Sequence, residues 1–317
     1  MDDNNCQVFL GSSYVSITET KHFYLPEKII VFDLDETLGS FGDLYILWSG
    51  IKHLFEDFDR FDDLADMYPE CIRFGVLTIL EYLYKKKQKK QCQKIYIYTN
   101  NQCSGDWVKK ITQYLCSKVR RSYQTHEGIA NLPTEPLFDK LICAFRINNK
   151  SVEVLRSSHK KSMNDLINCT LLSKEADICF IDDVEHQEMK NSRVYYICPR
   201  PYFHTLTAED FVTRLIDSPL VRSYRLKRPL LFSPKFWIPW FSNYKRSYSR
   251  PRNLKNNLHE DLLVSKQLMY HLKEFMAWKR PPLKYDPIIK SKTMHRELKK
   301  NKRRTKRNST FMKDHSQ

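Results

Sequence analysis

Five short apolar runs punctuate the chain: Ile29 to Phe32, Ile95 to Tyr98, Leu141 to Phe145, Ile178 to Ile181 and Val194 to Ile197. None alternates with polar residues, and each is short for a helix, so each predicts a strand buried on both faces. Between them the spacing becomes helical. Leu44, Leu47, Ile51, Leu54, Phe55 and Phe58 predict a small helical insert over 39–70, ended by Pro69. Residues 71–90 predict an amphipathic helix closing on a lysine run, which suits a helix C-terminus. Further helices are expected over roughly 104–120 and 208–217. Strands alternating with helices define an α/β fold, a Rossmann-like, mainly parallel sheet with helices on both faces. Ahead of it, QVFL and YVSITET flank Gly11-Ser12-Ser13, which predicts a leading hairpin within residues 1–27.

Short polar residues terminate three of the strands: Asp33 and Asp35, Thr99, and the pair Asp182-Asp183. In a parallel sheet these ends share one edge, where ligands of open α/β sheets bind. Carboxylates behind a buried strand are costly unless a cation or a reaction uses them. Each group alone could be a helix cap. Together, with the turn His159-Lys160-Lys161, they make a candidate site. Asp57, Asp59, Asp62, Asp63 and Asp66 lack the spacing of a calcium-binding loop and read as a solvated helix face. His159 and His186 read as surface histidines.

Beyond residue 218 the pattern changes. Basic residues mix with prolines and aromatics and no regular element is clear, although Phe236, Trp237 and Trp240 are expected to pack onto the body. Leu254, Leu258, Leu262, Met269, Leu272 and Met276 predict a helix over 254–279, and 291–317 reads as a basic disordered tail. The expected organisation is therefore a lead segment 1–27, an α/β domain 28–218, a basic aromatic and helical extension 219–290, and the tail. Charge follows the same division. The net charge of +16 comes from 53 Lys and Arg against 37 Asp and Glu; residues 221–317 hold 26 against 6, leaving 27 against 31 for the body. The asymmetry predicts that residues 221–317 meet nucleic acid or another polyanion. Nine cysteines, none in a C-x-x-C pair, read as reduced thiols. With no basic, apolar leader and no apolar run approaching a membrane span, the chain is expected to be intracellular, not secreted, and without a transmembrane segment.

The converging groups suit phosphoryl transfer from a phosphomonoester. A carboxylate can attack phosphorus and become an aspartyl-phosphate. A second, two residues on, can protonate the leaving oxygen and then activate water. Hydroxyl, lysine and a hard cation answer the spread negative charge, and paired carboxylates suit Mg²⁺.

DLDET, the strand ending in Thr99, a lysine before the fourth strand and the FIDD pair occur in the order of the haloacid dehalogenase-like phosphatase superfamily, which residues 26–217 resemble. DLDETL, IRFG, IYTNN and FIDD resemble more narrowly the RNA polymerase II C-terminal-domain phosphatase branch, in the form found in large DNA viruses. The resemblance implies an Mg²⁺-dependent phosphatase of phosphoserine or phosphothreonine proteins, polymerase repeats among them, in the cytoplasm or nucleus of a host cell. It makes Asp33 the nucleophile, Asp35 the acid and base, Thr99 a phosphoryl ligand and Lys161 (with Lys160 next) the neutralising cation. Asp33, Asp35 through its carbonyl, Asp182 and Asp183 would hold the metal. Asn100-Asn101 and Val184-Glu185-His186 depart from the family pattern where substrate recognition is set. A nucleic-acid-binding phosphatase that removes terminal phosphates is the alternative, and an inactive nucleic-acid-binding protein a weaker one. Because the motifs precede residue 190, small-substrate activity should survive removal of 221–317, provided the aromatic stretch is not packed into the core.

Overall fold

A computed structural model describes residues 6–11, 27–103, 105–127, 135–173, 175–248 and 258–279. Its strands are β1 (Cys6–Leu10), β2 (Lys28–Phe32), β3 (Lys94–Tyr98), β4 (Lys140–Ile142), the small pair β5 (Arg146–Ile147) and β6 (Lys150–Ser151), β7 (Asp177–Ile181) and β8 (Val194–Pro199). Six of them form one sheet in the order β1-β8-β7-β2-β3-β4, parallel throughout except for β1. The expected α/β class and mainly parallel sheet are thus present. The first arm of the expected leading hairpin, QVFL, is a strand at the sheet edge. Cys6–Leu10 pairs antiparallel with β8, and the other arm, YVSITET, lies outside the described residues.

Side chains alternate between two apolar faces. Ile30, Phe32, Ile95, Ile97, Cys179, Ile181, Tyr195 and Ile197 share one core. Ile29, Val31, Tyr96, Tyr98, Ile178, Phe180, Val194 and Tyr196 share the other. Both faces being dry explains why the sequence shows unbroken apolar runs. Helices cover the two faces unequally. The first face lies under residues of α1 (Gly42–Leu54), α2 (Phe61–Asp66), α3 (Val76–Gln88), α4 (Gly105–Glu127) and α6 (Ala208–Asp217). On the second face α5 (Met163–Thr170) contributes Leu166 and Cys169. α1 and α2 form the insert expected over 39–70. α4 runs past the expected residue 120, and α6 matches its expected bounds under a Thr207–Asp210 capping box.

The region after 218 differs most from the sequence reading. Where no regular element was expected, α7 (Arg222–Lys227) and α8 (Pro234–Tyr248) form, the latter around an internal Pro239. Trp237 and Phe241 on α8 point into the first core, 1 % and 0 % exposed. Trp240 lies over Gly50 of α1, where any added Cβ would meet the indole at 2.3 Å, so the glycine is what lets the two helices approach. Phe236 stays 41 % exposed. α9 (Leu258–Ala277) falls within the expected helix but is turned relative to the expected stripe. Of that stripe Leu272 is buried and Met269 and Met276 pack against the core, joined by the buried Val264, Leu268 and Phe275, whereas Leu258 is exposed and Leu254 lies outside the described residues. The C-terminal end of α9 is held by Lys28, the first residue of β2. Its Nζ donates to the carbonyls of Phe275, Met276 (3.3 Å) and Trp278 (2.6 Å), and burial lowers its pKa to about 8. Residues 219–279 therefore complete the core, and the condition set on removing 221–317 is not met. Residues 291–317, expected to be a disordered tail, lie outside the described residues. Among the described residues no helix is long and apolar enough to cross a membrane.

Removing Trp237 leaves a large void under the insert, so Trp237→Ala should cost about 3–5 kcal/mol, read from urea unfolding. A chain ending at Asp217 should fail to show a cooperative transition at all, and a cooperative one would place the last three helices outside the folding unit.

Candidate active site

The sheet carries its hydrogen-bond ladder one residue into the site. Asp33 N donates to Ile181 O (2.8 Å), Thr99 N to Ile142 O (2.9 Å) and Asp182 N to Ile197 O (3.2 Å). Three strand-end residues are thereby fixed by the neighbouring strand, with Asp33 central because β2 lies between β7 and β3. Asp33, Thr99 and Asp182 are buried.

Beyond Asp33 the chain turns sharply, with Glu36 at φ 57° and Leu38 N donating to Leu34 O (2.9 Å). Arg73, 2 % exposed, clamps this turn from the IRFG segment. Its Nε donates to Thr37 O (2.6 Å), and its Nη2 to Glu36 O and to Arg200 O (2.7 Å). Thr37 in turn donates its hydroxyl to Asp183 Oδ1 (2.8 Å) and accepts from Asp183 N (3.0 Å), tying the DLDET turn to FIDD. Sequence reasoning gave neither Arg73 nor Thr37 a role of its own, although both stood inside the quoted motifs.

Lys161 immediately precedes α5, whose N-cap Ser162 accepts from Asp165 N at 3.1 Å. Its Nζ donates to Asp33 and, at 2.6 Å, to Asp182 Oδ2. Lys160 instead points outward to Glu188 (3.4 Å) with its side chain 78 % exposed. Of the two candidate lysines, Lys161 is the one in the site. Arg156, also buried, joins its loop to the end of β3. It donates to Thr99 O (3.1 Å), Asn100 Oδ1 (2.7 Å), Cys143 O (2.8 Å) and His159 O (3.2 Å). No sequence signal singled it out. His159 is exposed, as expected. His186 is not a free surface histidine, since its Nε2 lies 3.3 Å from Asp182 Oδ2.

Asp35 stands apart from the other acids. One oxygen accepts from Asn101 Nδ2 at 2.6 Å. Cys103 N donates to Asn101 Oδ1 (2.8 Å), so the amide atom facing Asp35 is the NH₂ group. Asn101, noted in the sequence only as a departure, positions the second carboxylate. The Thr99 hydroxyl accepts from Asn101 N (3.0 Å), which leaves its own proton to donate.

Ligand oxygens of Asp33, Asp182 and Asp183 lie within 4.8 Å of one another, and the Asp35 carboxylate is not in this set. Three hard oxygen donors, without cysteine or imidazole in the set, fit Mg²⁺ better than zinc. Their electrostatics agree. Burial drives the Asp33 pKa well up; Lys161 opposes this, while the charges of Asp182 and Asp183 add to it. For Asp182 burial is outweighed by Lys161 and His186, and its pKa is lowered. Burial and the Asp182 charge raise Asp183 to about 6. Burial raises Asp35 as well, against the Asn101 hydrogen bond. One lysine does not balance these carboxylates, and a divalent cation would.

Comparison with family models, curated proteins and solved structures finds no match in any of the three.

The folded protein keeps a proton on Asp183 at pH values where the unfolded chain has released it. Its burial carries no penalty below about pH 4 and a penalty that grows to roughly 3 kcal/mol above pH 6. Unfolding in EDTA should therefore show Asp183→Asn stabilising the protein at pH 7 but not at pH 4. Added Mg²⁺ should stabilise the parent at pH 7 and the variant much less. A variant effect independent of pH would remove Asp183 from the carboxylate cluster's energetics.

Proposed function

We propose that this protein is an Mg²⁺-dependent phosphomonoesterase working through an aspartyl-phosphate on Asp33. The observation that carries the reading is Lys161 held between Asp33 and Asp182 on adjacent parallel strand ends, with Asp183 beside them.

In the first step an oxygen of Asp33 attacks phosphorus, a P–O bond to Asp33 forms, and the ester P–O bond breaks. The leaving oxygen takes a proton from Asp35. Burial raises the Asp35 pKa, the direction a general acid needs, and the oxygen that Asn101 does not engage can carry the proton. In the second step Asp35 takes a proton from water, whose oxygen attacks phosphorus. The acyl-phosphate bond breaks, regenerating Asp33 and releasing inorganic phosphate. Lys161 and the Thr99 hydroxyl donate to phosphoryl oxygens. Held by Asp33, Asp182 and Asp183, with the Asp35 carbonyl, Mg²⁺ would offset the charge of the transferring group.

For the substrate we propose phosphoserine or phosphothreonine in a protein, supported by the likeness of DLDETL, IRFG, IYTNN and FIDD to the polymerase C-terminal-domain phosphatases. Phosphopeptides should be turned over faster than 5′- or 3′-phosphorylated oligonucleotides in a side-by-side panel, and the reverse ranking would favour terminal phosphates of nucleic acid.

An aryl phosphate should be hydrolysed with Mg²⁺ and not with EDTA. Asp33→Asn should abolish turnover, since no nucleophile remains; wild-type turnover in that variant would end the assignment. Asp35→Asn should lose roughly 10²–10⁴-fold in kcat while acid-quenched samples retain phosphoenzyme. Asn101→Ala should shift the acidic or basic limb of the pH profile through Asp35, where a purely structural role would move only stability.

A further inference from the structure

The segment from α7 to the start of α8 has an inner and an outer side. Tyr224, Phe232 and Trp237 face the body. Phe55 lies 4.6 Å from Tyr224 and 5.3 Å from Phe232, ring centre to ring centre, and Trp237 is buried. These contacts pin the backbone, and Leu231 between them also packs against the core, while other side chains of the stretch are left outside. Leu226, Leu230 and Phe236 are among these, 76 %, 86 % and 41 % exposed. A single exposed leucine is ordinary. Three large apolar side chains on one pinned stretch of eleven residues are not explained by the core beneath them.

Their neighbours share one sign of charge. Residues 222–248 contain seven Lys and Arg and no Asp or Glu. Carboxylates reach the segment from the body side, Asp57 at the Tyr224 hydroxyl (3.3 Å) and Asp43 at Lys245. Arg222, Lys227 and Lys235 stand exposed beside the apolar residues.

We propose that this outer surface rests on an anionic phospholipid bilayer. Leu226, Leu230 and Phe236 enter the headgroup and acyl boundary, and Arg222, Lys227 and Lys235 meet the lipid phosphates. Aliphatic side chains decide between polyanions. Leucine gains by leaving water for acyl chains, whereas single strands are held by stacking on aromatic faces, which leucine lacks. The contact is interfacial, since no described helix can span. Neither component is strong alone; the apolar insertion and the electrostatic attraction act together, as two-signal membrane anchors do.

The test is flotation of the full-length protein with phosphatidylcholine vesicles and with phosphatidylcholine–phosphatidylserine vesicles, alongside binding to a single-stranded oligonucleotide. Binding should require phosphatidylserine and weaken with salt. The triple variant Leu226→Ser, Leu230→Ser, Phe236→Ser keeps every charge and should lose about tenfold or more in vesicle affinity, with oligonucleotide affinity and the aryl-phosphate rate unchanged. Should the triple variant misfold, the double variant Leu226→Ser, Leu230→Ser should show a smaller loss in the same direction. Vesicle affinity equal to the parent's in a folded variant overturns the proposal, because charge elsewhere in the chain then accounts for all binding. An equal loss on vesicles and oligonucleotide also overturns it, in favour of a nucleic-acid surface.

Discussion

The register of β2 between β7 and β3 is the constraint on which the rest depends. Phe32 sits opposite Ile181 on one side and Ile97 on the other, so the next residue of each outer strand arrives beside Asp33. A slip of one residue would move every side chain of β2 to the opposite face. It would also withdraw Asp33 from Lys161 and separate the DLDET turn from Asp183. Because both faces of β2 are packed, the same burial that stabilises the sheet fixes the distances at its edge.

That edge gathers more negative charge than a folded chain tolerates without compensation. Lys161 answers Asp33 and Asp182, Thr37 and Arg73 hold the turn and Asp183, and Asn101 answers Asp35. The compensation is divided so that the carboxylates differ. Asp182 is kept ionised by Lys161 and His186, while at Asp35 burial outweighs both the Asn101 hydrogen bond and the Lys161 charge, so it holds its proton more firmly. Two carboxylates on the same sheet edge, Asp182 and Asp35, thus acquire different acidities from their surroundings alone.

Much of this was legible in the sequence, and for identifiable reasons. The strands showed as unbroken apolar runs because both sheet faces are buried, and Asp33, Thr99, Asp182 and Asp183 showed because polarity returns abruptly where those runs end. Lys161 could not be separated from Lys160 by spacing; only the start of α5 decides which ammonium turns inward. Arg156, Arg73 and Asn101 act through backbone carbonyls and amide groups brought together from distant segments, which leaves no periodic signal. The α8 helix was hidden by Pro239, whose local preference is overridden by the burial of Trp237 and Phe241. The stripe assigned to α9 was rotated because the helix meets β8 and Lys28 along Val264, Leu268, Leu272 and Phe275, a choice of face set by tertiary packing.

The bond from Lys28 to the last turn of α9 has a consequence for biosynthesis. The strand that carries Asp33 leaves the ribosome long before α9, yet the carbonyls that hold its first residue belong to Phe275, Met276 and Trp278. The α/β part cannot settle vectorially, N-terminal half first, as independent domains do. Until α9 emerges, the strand base and the apolar surface meant for the last helices stay open to solvent and to chaperones. A premature stop between residues 184 and 275 therefore releases a chain that keeps Asp33, Asp35, Thr99, Lys161, Asp182 and Asp183 but lacks the carbonyls that hold the base of the Asp33 strand.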